Sequence, residues 1–273
     1  MRVKGNSGCE VTLVDESTVR KSATGADALR LARQIEKQIH FSANPPARDI
    51  LAPKILRQHN TPDGLAVDME FIAAKDFIQF LNESDRDAFD RFIASITRYI
   101  ETNLAQSVER DTAPEFHRKL TDLAQQGVPS RHIAAARELC ATPVIVPVGP
   151  CHGDLTLSNI LFRSDQLYLI DFLDVFVESP LQDIVKLRQD TGFGWSLHLY
   201  VADFDLTKMR LALRYLDQQI AAAFASRAWY RKHYELFQLV NFMRILPYCK
   251  TPADTQLVLH TLDRLRPGLA AAV

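Results

Sequence analysis

Hydrophobic and polar residues alternate in short runs near the start of the chain and then take a helical spacing. The runs CEVTLV and STVRKSA are joined by a polar turn, a pattern that favours a β-hairpin. A helix is indicated next, in ALRLARQIEKQIHF, by apolar residues at Leu29, Ala32, Ile35 and Ile39. A second pair of strands, APKILR and LAVDMEFI, flanks HNTPDG, where Pro and Asp-Gly favour a turn. Residues 1–74 are therefore predicted to form a small sheet with one helix.

From residue 75 to residue 273 the apolar spacing is mostly helical. Ser84 is placed to cap the helix SDRDAFDRFIASITRYIETNL, and Gly127 is placed to end the helix APEFHRKLTDLAQQG. Before a further helical region that starts at Pro180, the runs VIVPV, NILF and LYLI return to β-structure. The sequence predicts an α+β fold, with a small N-terminal sheet lobe (1–74) and a larger, mainly helical C-terminal lobe (75–273) that carries a β-hairpin.

Composition and charge narrow the class of protein. The 273 residues are 47% hydrophobic, enough to bury one large core or two adjoining ones, and the formal net charge is -1. Acidic and basic residues are interleaved, so no sequence-wide field attracts nucleic acid, and no segment approaches the roughly 20 apolar residues that span a membrane. The four cysteines lack C-x-x-C spacing, which argues against a zinc site or a redox pair. We expect a cytoplasmic enzyme or binding protein without a membrane span or a nucleic-acid partner.

The stretch CHGDLTLSNILF, residues 151–162, places polar residues directly after the apolar run VIVPV. One interpretation takes GPCHG at 149–153 as a nucleophile elbow with Cys151 as the nucleophile. An elbow requires a helix after it, but DLTLSNILF is rich in strand and turn formers. The first half of the chain also lacks the β and α alternation of a hydrolase sheet. A cysteine hydrolase is therefore kept only as an outside alternative.

A second interpretation joins this stretch to Asp171 in YLIDF. Phosphoryl transfer from ATP needs a carboxylate beside the acceptor hydroxyl and oxygen ligands for Mg²⁺. Asp154 is the candidate base, and Asn159 and Asp171 are candidate metal ligands that the hairpin between them brings to one edge. Taken singly, each is an ordinary turn or capping residue. Their joint spacing indicates phosphotransfer chemistry.

These segments resemble a known superfamily. HGDLTLSN, LIDFLD and SPLQDIVKL are similar to the catalytic loop, metal-binding loop and following helix start of the aminoglycoside phosphotransferase, choline kinase and fructosamine kinase superfamily, over about residues 4–190. The resemblance implies a protein-kinase-like fold and an enzyme that uses ATP and Mg²⁺ to phosphorylate a hydroxyl group. His152 would brace the catalytic loop. Asp183 would cap the next helix and brace the same loop.

The resemblance also requires an ATP-binding lobe. It implies that Lys21, in TVRKSA, grips the α- and β-phosphates and is paired with Glu36 on the first long helix. The segment GNSG, residues 5–8, keeps two of the glycines expected in a phosphate-covering loop. Asn6, Ser7 and Gly8 are therefore candidate phosphate contacts.

The resemblance also implies a hinge between the two lobes, and MEFI, which would leave the small sheet as an edge strand, corresponds to it. The carbonyl of Glu70 and the N–H of Ile72 are its candidate contacts to adenine. As a bare pattern, MEFI also fits an ordinary buried strand, and it can be both.

The acceptor is expected to be small, because only FLDVFVES separates Asp171 from Pro180 and a peptide platform needs a longer segment. Basic residues outnumber acidic ones after Glu178, which disfavours polycationic aminoglycosides without excluding them. Aromatic residues suited to a choline-like ligand occur at Trp195, Tyr200, Trp229 and Tyr230, although such spacing is more often that of a core.

KLRQDTGFGWS resembles a branch of the superfamily found among bacterial surface-polysaccharide biosynthesis proteins, which implies a sugar-derived hydroxyl. Candidate acceptor contacts are Asp174, Gln189, Asp190 and Trp195. The sequence thus predicts an ATP- and Mg²⁺-dependent small-molecule kinase acting on a sugar or sugar derivative. Its alternatives are a choline, amino-alcohol or aminoglycoside phosphotransferase, a non-catalytic pseudokinase that binds nucleotide, and the Cys151 hydrolase.

Overall fold

The structure is a computed structural model that describes residues 2–4, 9–200 and 205–265. The candidate phosphate contacts Asn6, Ser7 and Gly8 lie outside the described residues. No helix within the described ranges is long and apolar enough to cross a membrane.

The N-terminal part of the chain forms one antiparallel sheet and one helix. Its elements are β1 (Arg2–Lys4), β2 (Glu10–Asp15), β3 (Thr18–Thr24), α1 (Ala26–Ala43), β4 (Ile50–Leu51), β5 (Ile55–Thr61) and β6 (Gly64–Glu70). Five of the strands form the sheet, in the order β1-β2-β3-β6-β5. The Asp15 side chain accepts a hydrogen bond from Ser17 N at 2.8 Å and so fixes the turn of the first hairpin. Both hairpins that the alternating pattern predicts are present.

Helix α1 packs on this sheet through a face that differs from the one its apolar spacing suggested. The buried residues are Leu31, Gln34, Ile35 and Gln38, whereas Leu29, Ala32 and Ile39 are exposed. Leu31 and Ile35 join Cys9, Ala23, Leu65 and Val67 in the small core between helix and sheet. The helix was predicted correctly, but two glutamines occupy its inner face.

The C-terminal part is mainly helical around a large aromatic core. Its elements are α2 (Phe77–Glu83), α3 (Arg86–Ala105), β7 (Val108–Asp111), α4 (Ala113–Gln125), α5 (Ser130–Leu139), β8 (Ile145–Val148), β9 (Ile160–Arg163), β10 (Gln166–Leu169), α6 (Pro180–Thr191), α7 (Trp195–Leu199), α8 (Leu206–Phe224), α9 (Ala228–Met243) and α10 (Pro252–Arg264). Asp85, not Ser84, caps α3, by accepting a hydrogen bond from Ala88 N at 2.9 Å. Gly127 follows α4 with a φ of 85°, as a helix-ending glycine does.

The hairpin β9–β10 carries the candidate metal ligands and is tied to the N-terminal segment. Ile50 and Leu51, in β4, pair in parallel with Leu167 and Tyr168 of β10. This two-residue strand was not predicted, because it is too short to show a period. A segment of the predicted N-terminal lobe therefore belongs to a sheet whose other strands lie in the predicted C-terminal lobe. The lobe boundary between residues 74 and 75 stays a prediction.

Candidate active site

The loop between β8 and β9 is held at both ends by carboxylates from α6. Asp183 accepts hydrogen bonds from the backbone N–H groups of His152 at 2.7 Å and Gly153 at 2.8 Å. Asp190 accepts one from Leu157 N at 2.7 Å, where a short 3₁₀ turn begins. Gly153 has a φ of 88°, and a Cβ there would lie 2.0 Å from the carbonyl oxygen of Leu173. The backbone of the candidate catalytic loop is therefore fixed.

Both clamping carboxylates are buried and protected from solvent. Burial raises the pKa of Asp183 to about 7, although its two backbone hydrogen bonds oppose the shift. Tyr99 donates a further hydrogen bond to Asp183 at 3.2 Å. Burial likewise raises the pKa of Asp190 to about 6, against the effect of its hydrogen bonds from Ser196 and Leu157. Both groups support the loop through these hydrogen bonds. The predicted cap of α6 by Asp183 is wrong, because Ser179 caps this helix by accepting a hydrogen bond from Leu181 N at 3.2 Å.

Two of the candidate acceptor contacts need correction. Asp190 is buried, and its oxygens accept the N–H groups of Leu157 and Ser196. Gln189 is also buried, and its Oε1 accepts hydrogen bonds from Lys186 Nζ at 3.2 Å and Asn241 Nδ2 at 2.8 Å. Helix α6 runs through the core, so its polar side chains are satisfied within the protein and do not face an acceptor.

The other two acceptor candidates remain accessible. Asp174 is exposed and lines a cavity of 380 Å³ between α1 and the loop after β10. Trp195 starts α7, where it is half-buried with its ring centroid 6.3 Å from that of His198. A contact from either residue to an acceptor stays a prediction.

His152 lies inside the protein beneath the loop. Its Nε2 lies 2.9 Å from the carbonyl oxygen of Ile170, and its Nδ1 accepts a hydrogen bond from Asp154 N at 3.2 Å. Burial lowers the pKa of His152 to about 4, so the ring is neutral and Nε2 is the nitrogen that donates. The imidazole thus joins the catalytic loop to the end of β10.

Asp154 is held by two neighbours and keeps 29% of its side chain exposed. Asn159 Nδ2 donates one hydrogen bond to the backbone oxygen of Asp154 at 2.8 Å and another to Asp154 Oδ2 at 3.0 Å. Lys186 Nζ lies 3.0 Å from Oδ1. Burial raises the pKa of Asp154, but the positive charge of Lys186 more than offsets this, and the pKa is lowered. Asp154 is therefore an ionised carboxylate that is partly exposed to solvent.

Asp171 lies at the end of β10, opposite Asn159. Ile170 N donates a hydrogen bond to Asn159 O at 3.0 Å, which aligns the two candidate metal ligands across the hairpin. Asp171 has a φ of 61°, an uncommon conformation for a residue other than glycine. Its side chain is 47% exposed and contacts Lys21, whose Nζ lies 2.6 Å from Oδ1.

The predicted partner of Lys21 is wrong. Lys21 Nζ donates to Gln34 Oε1 at 3.1 Å and to Asp171, while Glu36 is exposed on α1. Two residues along a helix correspond to a rotation of about 200°, so Gln34 and Glu36 point in nearly opposite directions. A neutral amide therefore stands where the resemblance placed a glutamate.

Cys151 is not an activated nucleophile. Its side chain is buried, and Sγ donates a hydrogen bond to Glu178 Oε2 at 3.1 Å. Burial raises the pKa of the thiol, which keeps it protonated. Residues 151–156 form no helix after the loop. The cysteine-hydrolase alternative is therefore set aside.

The hinge residues lie where β6 leaves the sheet. Glu70 is the last residue of β6, and its N–H donates to Lys54 O at 2.9 Å. Phe71 N donates to Ser17 O at 2.7 Å, and Ile72 buries its side chain beyond the end of the strand. The adenine contacts of Glu70 and Ile72 stay predictions.

The donor set fits a magnesium ion bound together with phosphates. The described residues contain no group of three or more His, Cys, Asp and Glu side chains that could hold a metal alone. Mg²⁺ at a phosphate site uses only one or two protein oxygens and takes the rest from phosphates and water. Because the amide nitrogen of Asn159 is bonded to Asp154, its oxygen is the atom available to a cation. Asp171 already accepts a cation, the ammonium of Lys21.

Three residues of this site were not found from the sequence. Gln34 and Lys37 were hidden because the apolar stripe of α1 did not mark its inner face; Lys37 Nζ donates to Leu173 O at 2.9 Å and to Glu178 Oε2 at 2.7 Å. Lys186 is the one of the three that the sequence could have indicated, because it lies three residues after Asp183 and therefore on the same face of one helix.

The small sheet lobe and the larger helical lobe form a protein-kinase-like fold, and the family match below defines the chain as a phosphotransferase. The chain belongs to the phosphotransferase enzyme family, whose profile matches residues 6–230. This confirms the resemblance and the assignment as an enzyme that transfers a phosphoryl group to an alcohol. No curated protein sequence matches the chain.

Solved structures of aminoglycoside phosphotransferases have the same fold. The GDP and kanamycin complex of APH(2″)-IIIa is 15% identical with a TM-score of 0.69, covering 97% of this chain and 92% of that one. ADP-bound APH(2″)-Ib is 14% identical with a TM-score of 0.62, covering 97% and 90%. APH(3″)-Id from Streptomyces rimosus is 16% identical with a TM-score of 0.58, covering 91% and 92%. At these identities the likeness establishes the fold.

Proposed function

We propose that this chain is an ATP- and Mg²⁺-dependent kinase that phosphorylates a hydroxyl group of a small molecule, a sugar or sugar derivative. The proposal is carried by one observation: Asp154 with Asn159, and Asp171 with Lys21, form two contacting pairs at the end of one hairpin. These are a base, two oxygen ligands and a phosphate-binding cation, the parts that phosphoryl transfer requires. A cytoplasmic location, where ATP and Mg²⁺ are present, is part of the proposal.

In this proposal Asp154 receives the acceptor. Its ionised carboxylate accepts the hydroxyl hydrogen, and Asn159 and Lys186 fix the direction in which it does so. The acceptor oxygen forms a bond to the γ-phosphorus while the bond to the β–γ bridging oxygen breaks, the proton passes to Asp154, and ADP leaves. The catalytic loop does not need to move, because its backbone is anchored to Asp183 and Asp190.

Lys21 and the metal ligands receive the nucleotide. Asn159 and Asp171 would hold Mg²⁺, which when bound neutralises charge on the β- and γ-phosphates. Lys21 is 6% exposed and is bonded to the neutral Gln34, so α1 positions its ammonium without cancelling its charge. The backbone groups of Glu70 and Ile72 would bind the adenine. Nucleotides in the structures of relatives, ADP and GDP, support a nucleotide in this cleft.

A pseudokinase that binds nucleotide without catalysis is the competing interpretation, and turnover separates the two. The test is an ATP-consumption screen over sugars, amino alcohols and aminoglycosides with wild type and Asp154→Asn. The wild type should consume ATP with at least one acceptor, whereas Asp154→Asn should bind Mg·ATP with unchanged affinity and lose about 10²- to 10⁴-fold in rate. Equal turnover by the two proteins would remove Asp154 as the base. ATP binding without consumption across the screen would favour the pseudokinase.

A further inference from the structure

One arginine at the end of α9 has a buried donor that no described residue accepts. Arg244 directly follows α9, and its Nη1 is buried with no hydrogen-bond partner among the residues that the structure describes. Its guanidinium lies over the ring of Phe176, 5.6 Å from the centroid. An enclosed donor without an acceptor costs free energy, so its acceptor is expected to come from outside the chain.

Arg244 lies one helical turn after Asn241, whose Nδ2 donates to Gln189 Oε1 at 2.8 Å. The same oxygen accepts from Lys186 Nζ, the partner of Asp154, so this end of α9 packs near the candidate base. Burial lowers the pKa of Arg244, and the negative charge of Asp154 opposes that shift. Asp154 already has Lys186 at 3.0 Å on Oδ1 and Asn159 at 3.0 Å on Oδ2. Since both oxygens of the carboxylate have a nearer partner, Arg244 is left free to bind a ligand beside the base.

Two further basic side chains interact electrostatically with Arg244. Arg30 of α1 opposes its charge, and Arg244 in turn lowers the pKa of Lys119 of α4, where burial is the larger cause. Arg30 and Arg33 line the 380 Å³ cavity between α1 and the loop after β10, and Asp174 is the one acidic residue among the described residues of its wall. Electrostatic repulsion among these basic side chains costs free energy, and a bound anion would offset it.

We infer that the acceptor carries an anionic group, a carboxylate or a phosphate, which Arg244 binds while Asp154 receives the hydroxyl of the same molecule. The inference rests on the proposed function and names its substrate class. A guanidinium binds either kind of oxyanion through paired N–H donors. A polycation such as an aminoglycoside would instead meet Arg30, Lys119 and Arg244 as like charges. The site therefore favours an acidic sugar over a neutral or amino sugar.

The test is calorimetric titration of the full-length protein in the presence of Mg·ADP with D-glucuronate, D-glucose and D-glucosamine, which share a ring and differ in charge. Inorganic sulfate and inorganic phosphate are titrated in parallel, to separate a preference for carboxylate from one for tetrahedral oxyanions. D-Glucuronate or one of the inorganic anions should bind at least about fivefold more tightly than D-glucose, and D-glucosamine should bind least.

Variants identify the residue responsible. Arg244→Gln should lose at least about fivefold in affinity for the bound anion without changing Mg·ADP affinity, and Arg244→Lys should lose less. Lys232→Gln is the matched control, because it removes one positive charge from the exposed face of α9. It should bind the anion as the wild type does.

Each outcome decides between the inference and the proposed function. Wild type that binds Mg·ADP but neither D-glucuronate nor an inorganic anion would overturn the inference alone. Equal binding of the three sugars would also overturn the inference. So would anion binding that Arg244→Gln leaves unchanged, because the guanidinium would then be hydrogen-bonded only to water. Failure to bind Mg·ADP or Mg·ATP at all would overturn the proposed function as well.

Discussion

Lys21 Nζ lies 2.6 Å from Asp171 Oδ1, and this ion pair joins the N-terminal sheet to the loop after β10. The lysine is almost fully buried and the carboxylate is half-exposed, so the pair faces the cleft on the side of Asp171. A nucleotide with its metal would enter on that side. In the proposed function, the pair would therefore mark where phosphate and cation bind.

Asp171→Asn tests this position. The substitution keeps the shape of the side chain but removes the charge that a cation needs, so Mg²⁺-dependent ATP affinity should fall about tenfold or more. The affinity for ATP is measured by titration with and without Mg²⁺. In the variant, Mg²⁺ should no longer increase this affinity. Asp165→Asn, in the exposed turn of the same hairpin, is the control and should keep it. A metal response that persists in Asp171→Asn would mean that other residues hold the metal.

Gln34 and Glu36 give a second prediction, because only one of them contacts Lys21. Gln34→Ala removes the bond to Oε1 at 3.1 Å, and the KM for ATP should rise by about three- to tenfold, as expected when one intramolecular hydrogen bond with a net value of about 1 kcal/mol is lost. Glu36→Gln should leave the KM within about twofold. Steady-state kinetics with varied ATP measure both. The reverse ranking would show that α1 turns when nucleotide binds and that Glu36 then becomes the partner.

The same two residues show how far sequence reasoning reaches. The elements of the small lobe follow from local periodicity, and Asp154 and Asn159 could be grouped as candidates because they are five residues apart in one loop, where their side chains are in contact. The inner face of α1 was not found, since tertiary packing buries Gln34 there and leaves Leu29 exposed. The spacing of apolar residues predicts that a helix forms, but it does not show which polar residues of that helix are buried.

Contacts between distant segments were missed for a related reason. Arg244 follows α9, ninety residues after Asp154, and no spacing rule connects the two. The strand Ile50–Leu51 is too short for a pattern and is formed only by pairing with β10. Such features depend on the assembled core, which a local pattern does not describe.

His152 predicts a dependence of stability on pH. Its pKa is about 4 in the folded protein because of burial, below the ordinary value of 6.5, so between these values the unfolded chain binds more protons. Its contribution is complete above pH 6.5 and is lost as the pH falls towards 4. The free energy of unfolding of wild type minus that of His152→Asn should therefore rise with pH across this window, by up to about 3 kcal/mol, and then level off.

Urea denaturation at pH 4 to 8 measures this difference. His260→Asn, at an exposed position of α10, is the control, and its difference from wild type should not change with pH. A difference for His152→Asn that is flat from pH 4 to 6.5 would contradict a neutral buried imidazole. It would mean that protonation of the ring is accommodated within the fold.

Lys186 gives the last prediction, which concerns catalysis. Burial raises the pKa of Asp154 and Lys186 lowers it, so without the lysine the carboxylate should be protonated at a higher pH. In Lys186→Gln the acidic limb of the kcat–pH profile should therefore move to higher pH, with the largest loss of rate on the acid side. A purely structural role would lower kcat by the same factor at every pH. Lys186→Arg keeps the charge and should restore the wild-type position of the limb even where its rate is reduced, since the charge, not the shape of the ammonium, sets the pKa of Asp154.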